Sequence, residues 1–338
     1  MKGKHIYFPE AGKAMLADFD LPDTPGPEEV LVKTEYSLIS AGTELANFLN
    51  LPNTATAHNG YPHRPGYSSS GRVLAVGSAV QNLQPGDRVA LSWRWHRSRD
   101  VAPVNKVTKV CDDAIDMQEA AFMHLSSFPF GGLRKLQVQM GESVLIAGQG
   151  LLGIIATQLA RLSGAVPVIA ADLNPERRRL ALELGADYAF SPADKDFCDQ
   201  VLAVTGGKGV NAVVEVTGIA KALRQALEYV ARFGRISLLG CTRIPDEPLN
   251  FYKYVHCRGI TLIGAHTMAR PSCESHPGWW TEHDDYQTFL QYLSRGRLKI
   301  KPIISAVRDP ADANEVYNDL AHNPNPPLGV LFDWRNLE

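Results

Sequence analysis

The stretch SVLIAGQGLLGIIA, residues 143–156, decides the fold. Residues 143–148 form a largely apolar run of strand length. Residues 151–164 read as a helix, with Gly164 as its stop. Between them Gly148-Gln149-Gly150-Leu151-Leu152-Gly153 matches G-x-G-x-x-G. Alone that string is weak; after an apolar strand and at the head of a helix it is a dinucleotide-binding fingerprint. Gly148 permits the tight turn. Gly150 lets the backbone approach a pyrophosphate, and Gly153 lets helix and strand pack closely. The helix N-terminus then offers bare N–H groups and a partial positive charge to the phosphates.

Asp172 ends the next apolar strand (166–172), 19 residues after Gly153. A carboxylate there binds both ribose hydroxyls of an adenosine half and repels a 2′-phosphate, which selects NAD over NADP. Arg177, Arg178 and Arg179 follow and read as the solvated face of a helix (175–185). Asn174 is its N-cap and Pro175 its first residue. Further strands (209–218, 235–240, 260–266) and a helix (219–234) continue the alternation. Such alternation with near-continuous apolar strands predicts a parallel sheet covered on both faces, an α/β fold. A helix over 116–136, broken around Pro129, leads into this unit. Before it, residues 1–115 read as β structure, with strands at 29–39, 71–80 and 87–93 between Pro/Gly turns. The tail carries a helix (286–295), a strand (299–305), a helix (310–322) capped by Asp309, and a last strand (329–334).

Composition narrows the function classes. The chain has 338 residues, 45% hydrophobic and 21% charged, which excludes a disordered chain, a collagen and a disulfide scaffold. Lys plus Arg is 34 against 36 for Asp plus Glu, a formal charge of −2. That balance supplies no basic field for nucleic acid or an anionic membrane. The five cysteines, at 111, 198, 241, 257 and 273, include no CxxC pair and read as free thiols in a reducing compartment. No signal-peptide core and no membrane-spanning apolar run is visible, so a cytoplasmic protein is expected.

The order of β-rich segment, dinucleotide unit and short return, together with PGYSSSGRVLAVGSAVQNLQPGDRV (65–89), resembles the medium-chain dehydrogenase/reductase superfamily. The resemblance implies a GroES-like β-barrel catalytic domain (1–124 and 268–338) and a Rossmann domain (125–267), with the active site in the cleft between them. It also implies a catalytic zinc, held by a Cys of a C-G-[ST]-D string, a His of G-H-E and a third ligand before the Rossmann domain. Here the first string reads Ser40-Ala41-Gly42-Thr43-Glu44 and the second Gly66-Tyr67-Ser68. The third position falls near His124. A catalytic zinc takes about three protein ligands, so no metal is expected. A rearranged site of Glu44, His63 and His124 is the alternative. Residues 93–110 contain no Cys, so the structural zinc lobe of many relatives is missing as well.

Without zinc a side chain must take the alcohol proton. His124 is the candidate base, because imidazole titrates near neutral pH; the other reading is a packed helix histidine. Thr43 stands at a proton-relay position or caps a turn. Glu44 orients a base or binds a neighbouring Arg. Tyr67 hydrogen-bonds substrate or fills the volume that zinc vacated. Thr217, Gly240, Cys241 and His266, at the ends of later strands, join the glycine loop in the cofactor set. Trp93, Trp95 and His96, and Trp279, Trp280 and His283, suit a sugar ring or are ordinary core and loop aromatics. The expectation is a zinc-independent, NAD-dependent oxidoreductase acting on a secondary alcohol or ketone of a polyol, cyclitol or sugar-like substrate. Alternatives are a hydroxyethyl side-chain dehydrogenase, an enone reductase, or a non-catalytic nucleotide sensor. A homodimer or homotetramer is expected through the strand at 260–266, an apolar edge open to pairing.

Overall fold

The computed structural model describes every residue except Pro245 and Glu338, and it divides into two compact units. The second unit is Ser126–Gln287. Among the described residues it holds a six-stranded parallel sheet. From one edge the strands are Tyr188–Phe190, Val168–Ala171, Val144–Ala147, Val210–Glu215, Val230–Leu238 and Thr261–Gly264. In chain order that is 3-2-1-4-5-6, the doubly wound dinucleotide-binding arrangement. The strands Val144–Ala147 and Val168–Ala171 are buried at every position, as a sheet covered on both faces requires. Leu145, Ile169, Val213 and Ile236 meet Phe197, Leu227 and Tyr229 in the core of this unit.

The first unit is Met1–Leu125 with Thr288–Glu338. Its larger sheet is built on Glu29–Leu38, which pairs antiparallel with Ser68–Val76, Arg99–Pro103 and the returning strand Gly329–Asp333. The hairpin Lys2–Glu10 and Lys13–Asp20 forms a separate two-stranded sheet. The helix Ala313–His322 packs Val316, Tyr317 and Leu320 against Phe8, Phe48, Phe332 and Trp334. The GroES-like β unit and the parallel α/β unit therefore both form as the sequence implies.

Four expectations need correction. Pro129 does not break its helix: the elements are Met117–Ala120 and Met123–Leu136, with Pro129 inside the second. Residues 120–130 are all buried, and packing of that helix outweighs the one ladder bond a proline removes. The helix expected over 219–234 ends at Tyr229. From Val230 the chain is strand, beside Val210. The tail strand expected over 299–305 lies later, at Ile304–Arg308. Residues 268–287, expected in the first unit, belong to the second, where Arg270 and Asp285 bond with Ser127 and Arg134.

Candidate active-site groups and nucleotide site

In the second unit the glycine turn is built as read. Gly148 has φ +95°, and a Cβ there would lie 2.8 Å from Thr217 Cγ2. A Cβ on Gly153 would lie 1.9 Å from the Gly148 carbonyl oxygen, so strand and helix close up only over glycine. Gly150 is the N-cap of Leu151–Leu162; it has no side-chain cap, and a Cβ there would meet nothing within 4 Å. The first-turn N–H groups thus stand at open space, a cradle that fits a pyrophosphate. The Gln149 side chain turns inward, donating to Ile146 O (3.1 Å) and accepting from Thr157 (2.9 Å).

Asp172 follows the strand Val168–Ala171. Its Oδ2 accepts from Gln149 N (2.6 Å) and its Oδ1 from Asn174 N (2.8 Å), which leaves lone pairs on a fixed carboxylate. Arg178 donates to the carbonyls of Asp172 and Leu173, and Arg179 pairs with Glu176 and Glu183. The strand Val210–Glu215 ends in an acid that sequence reading passed over. Buried Glu215 accepts from Thr217 N (2.8 Å), Thr217 Oγ1 and Gly218 N (3.1 Å), and so holds the loop beside Gly148. Burial raises its carboxyl above the usual range, and these bonds counter part of the rise. A Cβ on Gly240 would overlap Gly218 N at 2.2 Å; Cys241 and His266 are exposed.

In the first unit the three expected zinc-ligand positions carry Ala41, Tyr67 and His124. His124, in the first turn of Met123–Leu136, is 0% exposed. Its ring lies 5.5 Å from Tyr67 (interplanar 89°) and 4.5 Å from Trp93 (61°), centroid to centroid. Trp93 is held at φ +60° and donates its N–H to Tyr67 O at 2.8 Å. The Tyr67 phenol donates to Ser40 Oγ. Ser40 is the N-cap of Ala41–Phe48, which places Thr43 in the first turn. One imidazole, an alanine and a phenol already bonded to serine do not fit a catalytic zinc. The rearranged alternative is not assembled either: among the described residues no three of His, Cys, Asp and Glu cluster to hold a metal.

Glu44 neither binds an Arg nor reaches His124. It is 2% exposed, and its oxygens accept from Ser40 N (2.9 Å), His96 Nε2 (3.0 Å) and the Tyr317 hydroxyl. Burial pushes its carboxyl up, but the charge and hydrogen bond of His96, with the bonds from Tyr317 and Ser40, hold it below the usual range. Beyond His96, Ser37 Oγ sits between His96 Nδ1 (2.7 Å) and Trp334 Nε1 (2.8 Å). His96 is therefore a buried structural group. Trp95, by contrast, is 40% exposed beneath the guanidinium groups of Arg64 and Arg97, each 4.9 Å away. Tyr317 and Trp334 come from the returning segment, and no local spacing announced them.

Comparison with known proteins agrees with this architecture. Residues 26–145 match the alcohol dehydrogenase GroES-like domain, and residues 152–278 match the zinc-binding dehydrogenase family. The L-threonine 3-dehydrogenase of Thermococcus kodakarensis is 30% identical over 337 residues, covering 90% of this chain and 89% of that protein. The D-guloside 3-dehydrogenase of Escherichia coli is 27% identical and covers 78% of this chain and 75% of that one. Among solved structures, galactitol-1-phosphate dehydrogenase from Escherichia coli superposes with a TM-score of 0.83 at 22% identity, covering 98% and 99% of the two chains. A chain of Sinorhizobium meliloti 1021 bound to NADP (TM-score 0.83, 20% identity) and an Escherichia coli CFT073 alcohol dehydrogenase with NADH (0.82, 19%) share the fold over the same spans. A two-part match over most of the chain, with a full-length relative at this identity, places the chain in the medium-chain dehydrogenase/reductase superfamily.

Proposed function

We propose that the chain is an oxidoreductase that uses NAD and interconverts a secondary alcohol and its ketone on a polyol, cyclitol or sugar-like substrate, with no catalytic zinc. One pairing of observations carries this reading. The nucleotide turn is intact, with Asp172 fixed beside it, while the metal-ligand positions hold Ala41, Tyr67 and His124. The named activities of the relatives support the substrate class. Their solved neighbours include both NADP and NADH complexes, so the choice of NAD rests on Asp172.

NAD would supply the hydride acceptor; the N–H groups at the head of Leu151–Leu162 would hold its pyrophosphate, and Asp172 would accept from its ribose hydroxyls. Thr217, Gly240, Cys241 and His266 complete that surface. As the C–H bond breaks, the hydroxyl proton passes to the His124 imidazole and the C=O bond forms. Tyr67 stands edge-on beside His124 with its phenol O–H given to Ser40 Oγ, and Thr43 is a second hydroxyl nearby in sequence.

Five free cysteines support a reducing, cytoplasmic setting, and no described helix is long and apolar enough to cross a membrane. The edge position of Thr261–Gly264 supports pairing of two copies. The test is NADH formation by purified protein over a panel of cyclitols, sugars and polyols. Saturable turnover of one class is expected. Tight NADH binding with no turnover of any member would overturn the reading in favour of a nucleotide sensor.

A further inference from the structure

The strand Val210–Glu215 ends on a carboxylate that is 2% exposed. Among the described residues no Lys, Arg or His pairs with it. The titratable group that faces it is Tyr229, at the end of the helix Ala220–Tyr229, and burial holds that hydroxyl neutral. Burying a charge without a counter-charge is costly, so hydrogen bonds must balance this one. Glu215 Oε1 accepts from Thr217 N at 2.8 Å and from Thr217 Oγ1, and Oε2 accepts from Gly218 N at 3.1 Å. Three donors on two oxygens is a demand that an ionised carboxylate meets. An amide has one oxygen and one NH2 group, and would set N–H against N–H at Thr217 or at Gly218. A protonated carboxyl sets an O–H there instead.

The segment so held lies at the surface. Thr217 is exposed, and Ile219 is 58% exposed. It is tied to the strand ends on both sides. Val216 N donates to Ala147 O at 3.0 Å, and the Glu215 carbonyl accepts from Leu239 N (2.9 Å) and Gly240 N (2.8 Å). Gly218 has φ +67°, and a Cβ there would lie 2.4 Å from Cys241 O. The Thr217 methyl stands against Gly148 of the glycine turn. Glu215 thus joins the ends of three parallel strands beside the open first turn of Leu151–Leu162, and the carboxyl ends of such strands are where doubly wound folds bind ligands. Apolar packing is enough to close a fold. A buried carboxylate without a cation, holding an exposed loop at that edge, marks a place where the loop's position serves a ligand.

We propose that Glu215 is a positioning residue for the dinucleotide: through Thr217 and Gly218 it fixes the wall of the cradle beside the glycine turn, and its ionised form alone does so. This role rests on the dinucleotide reading of that turn. Burial raises the Glu215 carboxyl above the ordinary carboxylate value of about 4.3, so its protonation begins in mildly acid solution. NAD favours the ionised form, and affinity falls as pH drops through the raised value.

NAD is titrated into the full chain by calorimetry from about pH 8 down to about pH 5 at constant ionic strength, a range that spans the raised carboxyl. Wild-type binding should weaken toward acid. Glu215→Gln should bind at least tenfold more weakly at neutral pH and lose that acid limb, whereas His266→Gln should keep the limb. Thr217→Ser, which retains the hydroxyl, should stay within a few-fold of wild type, and Thr217→Val should lose affinity. Adding Thr217→Val to Glu215→Gln should cost little more, because both remove the same contact. Thr217 is exposed, so Thr217→Val decides the matter even where Glu215→Gln lowers the melting temperature. Wild-type affinity in Thr217→Val, or the same acid limb in Glu215→Gln as in wild type, overturns the role of Glu215 alone. Absence of NAD binding by wild type at every pH overturns the dinucleotide reading and this role with it.

Discussion

Tyr317→Phe isolates the worth of one hydrogen bond to a buried charge. The Tyr317 ring is 0% exposed and packs on Phe8 (4.9 Å), Phe48 (5.6 Å) and Phe332 (6.1 Å), so phenylalanine keeps every ring contact. Only the hydroxyl is lost, and with it one of three donors to Glu44. A hydrogen bond to a charged group contributes about 1.5–3 kcal/mol, so that is the expected loss at neutral pH. With a urea slope of roughly 2–3 kcal/mol/M for a unit of this size, the midpoint should fall by about 0.5–1.5 M. The fluorescence of Trp334, buried in the same network, reports the transition of this unit.

The pH dependence supplies an internal check. The Glu44 carboxyl is held below its unfolded value, so its contribution is fully present above the ordinary carboxylate pKa of about 4.3. It disappears as pH falls through the lower folded value. Wild type and Tyr317→Phe should therefore converge in stability at strongly acid pH. In a double-mutant cycle, Glu44→Gln should absorb most of the Tyr317→Phe effect. A Tyr317→Phe loss under about 0.5 kcal/mol, or one that is the same with Gln at position 44, would refute the network as an energetic unit.

Four further outcomes are expected. Wild type should bind NAD at least tenfold more tightly than NADP, and Asp172→Ser should erase most of that preference; equal wild-type affinities would end the argument from Asp172. His124→Ala should lower kcat by ~10²–10⁴-fold with little change in NAD binding, and the pH–rate profile should lose its neutral limb. Purified protein should carry far less than one zinc per chain and keep its activity in chelator; stoichiometric zinc with chelator-sensitive turnover would falsify the metal-free reading. Light scattering at micromolar concentration should show a dimer or tetramer, and a monomer refutes pairing through Thr261–Gly264.

What the sequence shows well is local. The turn from Gly148 to Gly153 and the acid at 172 are set by sterics within one βαβ unit, and each sits where the spacing puts it. Asn174 caps its helix through bonds from Glu176 N and Arg177 N, again within four residues. What the sequence hides is long-range. Two of the three partners of Glu44 are 52 and 273 residues away, and nothing in the string around Glu44 announces them. Gln149 fits the fingerprint by position, yet its side chain turns to the core, where Ile146 O of the strand and Thr157 of the following helix meet it. Pro129 and the end of the helix at Tyr229 show packing overriding local preference in both directions.

On the metal-free reading, Ala41 and Tyr67 at the ligand positions and the surroundings of Glu44 belong to one electrostatic problem. By the family resemblance, Glu44 stands at an acidic position close to the zinc. A carboxylate 2% exposed beside a divalent cation is balanced by that cation. Remove the ligands and the carboxylate is left buried without its counter-charge, a change that costs several kcal/mol on its own. Converting the acid to an apolar residue would solve this; the chain instead keeps Glu44 and surrounds it with His96, Tyr317 and the Ser40 amide. Glu44 therefore fixes the backbone of Ser40, whose side chain receives the Tyr67 phenol. On the metal-free reading, a buried hydrogen-bond network balances Glu44 where a cation would otherwise do so, and that network ends at the Tyr67 phenol.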